Sequence, residues 1–174
     1  MKKILILIAC AIQFVACNTD EKAVSEKKQQ TEVTPSPTDK SAEAKKWLTQ
    51  AIEKNFNTPE SNNQTITTPQ YYEYKNDATN VDLDGGMTLQ AFQTKWNTKY
   101  DTKYAGVGVG FLISGQDFGK ISVTQCEAVA SSQANQYRFD VQIDDPEMKA
   151  KYHREVVVVE ANNSFLIDDV KEFE

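Results

Sequence analysis

The chain has 174 residues, of which 25 are acidic and 19 basic, for a net charge of −6 with its single histidine neutral. A surface of that sign repels nucleic acid and anionic lipid headgroups, so nucleic-acid binding is the first class to be excluded. The lone His153 leaves no two-histidine metal site.

Residues 1–16, "MKKILILIACAIQFVA", place two lysines before an apolar run from Ile4. That is the charged head and hydrophobic core of an export signal, too short for a stable membrane span. It ends at "FVAC", with small Ala16 ahead of Cys17 and Phe14 where an aliphatic residue is usual. The arrangement resembles a bacterial lipoprotein signal, in which the cysteine becomes the lipidated first residue. Asn18 in place of aspartate resembles the outer-membrane sorting signal of enteric lipoproteins, and Asp20-Glu21 resembles the surface-export signals of Bacteroidetes lipoproteins. The resemblance implies a cell-envelope protein held in the outer membrane and exposed at the surface. Cleavage before Cys17 leaves 158 residues and removes Lys2 and Lys3 but no acid, which moves the net charge to −8. Membrane attachment then comes from the lipid and not from a basic patch. Cys10 leaves with the signal and Cys17 takes the lipid, so Cys126 has no partner for a disulfide.

Residues 17–40 are charged and polar, with "PSP" near their end. They carry too little apolar surface to offset the entropy of ordering, and are expected to form a tether. The expected domain runs from 41 to 174. Ser41 can cap a helix through Phe56, with Ala44, Trp47, Leu48, Ala51, Ile52 and Phe56 on one apolar face. Thr68 and Pro69 suit the cap and first position of a second helix. A third is expected from Thr88, with Phe92, Trp96 and Tyr100 four residues apart as core.

Between the last two helices lies "NVDLDGGMTLQA", Asn80 to Ala91. Asn80, Asp82, Asp84, Gly86 and Thr88 fall at ligand positions of a helix–loop–helix calcium site, and Gly85 at its sharp turn. Ala91 stands where a bidentate glutamate closes such a site, and Val81 and Leu83 are apolar. An ordinary Asp-Gly-Gly turn into a capped helix accounts for the same residues.

From Ala105 the period changes. "GVGVGFLIS", residues 106–114, is expected as a strand, and "KISVTQCEAVA", residues 120–130, as a longer one. "YRFDVQID" alternates Tyr137, Phe139, Val141 and Ile143 against polar neighbours. "EVVVVEA" is apolar on both faces, as in a central strand, and Asn162-Asn163 turns it into "SFLIDDVKEF". Helices followed by successive strands predict an α+β domain with an antiparallel sheet of four or five strands.

That order, closing on Phe165-Leu166-Ile167-Asp168-Asp169-Val170, resembles the NTF2-like or cystatin-like fold. Within it the chain is most like small Bacteroidetes lipoproteins of the DUF3828 kind. The resemblance implies N-terminal helices packed in a curved sheet, and it speaks for fold more than function.

Reactive constellations are sparse. The glycines at 106, 108 and 110 precede an expected strand, the wrong order for a dinucleotide loop, and no serine sits in Gly-x-Ser-x-Gly. Cys126, between Gln125 and Glu127, fits a buried structural thiol, with His153 as its single available base. By the resemblance, Asp117 and Asp168 are the candidates for a carboxylate general base in the cone of the sheet. Three readings follow. The first is a lipid-anchored, non-catalytic module that binds a protein or small ligand and self-associates as a homodimer through its sheet face. The others are an NTF2-like enzyme, and a calcium-dependent surface protein.

Overall fold

Four strands in sequence order β1–β2–β3–β4 make one antiparallel sheet, with the helices that precede them packed on one face. The computed structural model describes residues 37–173, apart from Glu60, Ala105, Ser132 and Ala134. The expected signal, lipidation site Cys17 and all but the end of the tether lie outside these residues. The helices are α1 (Pro37–Asn57), the one-turn α2 (Asn63–Ile66), α3 (Pro69–Thr79) and α4 (Leu89–Trp96), followed by a 3-10 turn at Thr102–Tyr104. The strands are β1 (Ser122–Val129), β2 (Gln136–Asp145), β3 (Ala150–Ala161) and β4 (Ser164–Phe173). Among the described residues no helix is long and apolar enough to cross a membrane.

The helix starts follow from their caps. Thr68 accepts from the Tyr71 N–H with Pro69 in the first turn, and Thr88 accepts from the Ala91 N–H. Ser41 does not cap α1: the helix begins four residues earlier, at Pro37, whose fixed φ suits a first turn. On α1, Ala44, Leu48 and Ile52 are fully buried at helical spacing. Phe139, Val141 and Ile143 of β2 and Val156 and Val158 of β3 meet them from the sheet. Tyr71, Tyr74, Phe92, Trp96 and Tyr100 close the other side, with Tyr74 at its centre, 4.3 Å from Tyr100 and 5.5 Å from Phe92 and from Trp96 between ring centroids. All these side chains belong to one cluster drawn from Ala44 to Val170. A chain that starts at Asn18 therefore keeps all of this cluster.

Residues 106–114 are not a strand. Gly106, Gly108 and Leu112 have positive φ, and Gly108 donates to Ala78 O at 3.0 Å, so the segment folds back on the end of α3. Phe111, Leu112 and Ile113 are buried there as a plug. An apolar run between glycines satisfies the core without a partner strand. The Asn162-Asn163 turn does form, both residues at positive φ, and β3 pairs with β4 through it.

The helical half is tied to each edge of the sheet at one point. Glu53 and Asn57, four apart on α1, accept from the Val123 and Ile121 N–H groups at 3.0 and 2.9 Å, and Asn57 also donates to Ile121 O at 2.7 Å. On the far side the Thr68 N–H donates to Ile167 O at 2.8 Å. These contacts leave less backbone open to a foreign strand. The outward sheet face carries ion pairs, Lys151 with Asp144 and both Arg138 and Lys171 with Glu155, and a hydrogen bond between His153 Nε2 and Asp140 Oδ2 at 2.7 Å.

Candidate functional site

The site begins with an irregularity in β4. Val157 pairs with Asp169 and Val158 with Ile167, so Asp168 is an extra residue, a bulge in the edge strand. The turn before α3 clamps it. The Thr68 hydroxyl accepts from the Tyr71 N–H at 3.2 Å and donates to Asp168 Oδ1 at 2.8 Å. One threonine thus caps a helix and holds a carboxylate. Past the bulge, Asp169 stands in a cross-strand row with Val157 of β3 and Arg138 of β2.

These residues line an open cleft of about 510 Å³, together with Lys99, Tyr100 and Lys171. Burial raises the Asp169 carboxyl to about 6, against the Val170 backbone N–H that favours its charged form. The charges of Asp168 and Asp101 push it up further and Lys171 opposes them. Burial also raises the Tyr71, Tyr74 and Tyr100 phenols, with the Asp169 charge adding to each. The Tyr71 hydroxyl is buried without a hydrogen-bond partner among the described residues. In the neighbouring row, Glu155 of β3 stands between Asp140 of β2 and Lys171 of β4; burial pushes its carboxyl up, but Arg138 and Lys171 together outweigh it and hold it below its ordinary value.

A second polar cluster lies nearby. Lys75 of α3 and Glu172 of β4 form an ion pair at 2.7 Å with 7% and 8% of their side chains exposed. Burial lowers the lysine and raises the glutamate, so desolvation outweighs attraction at both partners. Lys75 also donates to Gly106 O at 3.2 Å, and a Cβ on Gly106 would fall 1.9 Å from Glu172 Oε2. Arg154, buried on β3, donates to the carbonyls of Leu112, His153 and Phe173. Gly106, Arg154 and Glu172 border a cavity of about 590 Å³ that also meets Lys103, Lys151 and Tyr152. Their partners tie α3, the 106–114 segment and two strands together, which is a structural role.

Of the residues singled out in the sequence, Asp168 lies in the first cleft and Asp117 does not; Asp117 sits exposed in the irregular segment before β1. Cys126 is buried against α1, and burial pushes its thiol up, as for a structural cysteine. It pairs with Val141 on the inner face while His153 pairs with Asp140 on the outer one, so the two form no dyad. In the 80–91 loop, the Asn80 amide donates to Asn76 O at 2.7 Å and the Thr88 hydroxyl is taken by the helix cap. Asp82, at positive φ, and Asp84 are exposed. Gly86 is required by packing, because a Cβ there would fall 1.8 Å from Asn80 O. Among the described residues no three histidine, cysteine or carboxylate side chains gather as a metal site.

Asp169 is the residue that sequence reasoning missed. The doubled aspartate was visible, but which one the fold buries depends on the bulge. Set against known protein families, curated proteins and solved structures, the chain matches none.

Proposed function

We propose that this is an NTF2-like, lipid-anchored module of the cell envelope that binds a small ligand without transforming it, at the cleft beside Asp168 and Asp169. The DUF3828-like lipoproteins are the kind it most resembles, and lipidation at Cys17 with an outer-membrane position belongs to the same reading. One observation carries the choice of a surface cleft: the room between helices and sheet is filled by Tyr71, Tyr74, Phe92, Trp96, Tyr100 and Phe139, all buried. A filled cone leaves no interior chamber where water-free chemistry can proceed. The charged outward face argues against an apolar homodimer face, so the ligand reading is preferred to self-association.

A second reading has its own support. An NTF2-like enzyme needs a carboxylate base, and Asp169, raised to about 6 in an open cleft, suits that role better than Asp117 or Asp168. A thermal-shift screen of polar metabolites against the chain from Asn18 separates the two. Binding predicts compounds that raise the melting temperature, lose the effect in Asp169→Asn, and are recovered unchanged. Recovery of a converted product would favour the enzyme, and no Asp169-dependent hit would remove the cleft from consideration. The calcium reading is tested in the same screen with calcium against chelator. A shift lost on changing Asp82 and Asp84 to alanine would revive it.

A further inference from the structure

The two edges of the sheet are protected unequally. β4 carries its bulge at Asp168, a parallel bridge from Thr67 to Ile167, and Lys171. Bulges, covering segments and lysines keep an edge strand from pairing with another chain. β1 is held by α1 where it enters the sheet, at Ile121 and Val123, and bulges at Thr124. Beyond that point, among the described residues, no element other than β2 bonds the β1 backbone. Residues 124–131 hold no lysine or proline. From Thr124 to Val129 only Cys126 is buried. Ala128 is exposed although it pairs with Phe139 of the core face, so α1 leaves space beneath this edge.

We propose that β1 pairs antiparallel with β1 of a second copy about a two-fold axis at Cys126, joining two sheets of four strands into one of eight. The stretch is self-complementary in that register. Gln125 and Glu127 are exposed on the outward face, one residue either side of Cys126. Each Gln125 amide therefore stands opposite the Glu127 carboxylate of the second copy and can donate to it. A register centred on Glu127 would set two carboxylates against each other, which costs stability. Lys45 of α1 lies 3.4 Å from Glu127 of its own chain and offsets part of the charge that pairing brings together. The inference goes beyond the ligand reading. Edge pairing uses neither the charged outward face as a whole nor the cleft on β4, which lies at the opposite edge.

The test is sedimentation equilibrium of the chain from Asn18 between about 5 and 500 µM, where a passage from monomer to dimer is expected. Gln125→Glu sets like charges opposite each other twice per dimer and should weaken it about tenfold. Gln125→Lys should tighten it by a similar factor. Gln125→Glu combined with Glu127→Gln restores the pairing with the two residues exchanged, and should return the dimer to its native strength. Gln93→Glu, an equal charge change at an exposed position on α4, should leave it unmoved. A monomer at every concentration overturns the assignment. So does a dimer indifferent to the charge at residue 125, or one that Gln93→Glu weakens as much as Gln125→Glu does.

Discussion

Asp169 is a carboxylate that the fold holds at a disadvantage. Its pKa of about 6, against about 3.9 in an unfolded chain, means that the folded state takes up a proton first as the pH falls. The cost to stability is complete above pH 6, shrinks between about 6 and 4, and is absent below both values. Replacing Asp169 with Asn should therefore stabilise the protein at pH 7.5 by about 1–3 kcal/mol, and raise its melting temperature by about 3 °C or more. The gain should vanish by about pH 4. A calorimetric melting series over that range checks both the sign and the window. Such a residue is expected where function, not stability, sets the choice. Gly86 is the opposite case, a residue fixed by packing. With Asn80 O 1.8 Å from its absent Cβ, Gly86→Ala should cost about 2 kcal/mol in denaturant melts, whether or not calcium is present.

At the level of elements, the helices do more than cover the sheet. Asn57 satisfies both backbone groups of Ile121, a residue 1% exposed, and so ties the chain entering β1 to α1. Asn57→Ala leaves a buried donor and acceptor unpaired, and a loss of about 1–3 kcal/mol is expected by urea unfolding. Phe139→Ala opens the centre of the core and should cost about 3–5 kcal/mol, with no ligand gained in its place. Much at this level could be read from residues alone. The alternation in β2, the Asn-Asn turn before β4, and the caps at Thr68 and Thr88 are local signals, and each element formed where its signal lay. Where the outcome depended on a neighbour, the residues were silent. Pairing with β3 decides the bulge at Asp168, and contact with α3 decides that 106–114 is a plug and not a strand. For that reason Asp168 was visible as a candidate and Asp169 was not.

At the scale of the molecule, the proposed division of labour is a lipid that fixes the protein to the envelope, an aromatic core that fills the interior, and a cleft on the edge strand that meets ligand. The anchor has its own test: the full chain, expressed in a Gram-negative host, should sediment with membranes, and Cys17→Ser should release it to the soluble fraction. The most direct measurement of the whole account is a map of backbone amide shifts over every residue of the chain from Asn18, with the ligand that most raises its melting temperature. Shifts are expected to gather at Tyr100, Arg138 and Asp168 to Lys171, with Phe92, Trp96 and Phe139 unmoved. A map centred on those three core rings, or on the 80–91 loop, would contradict it.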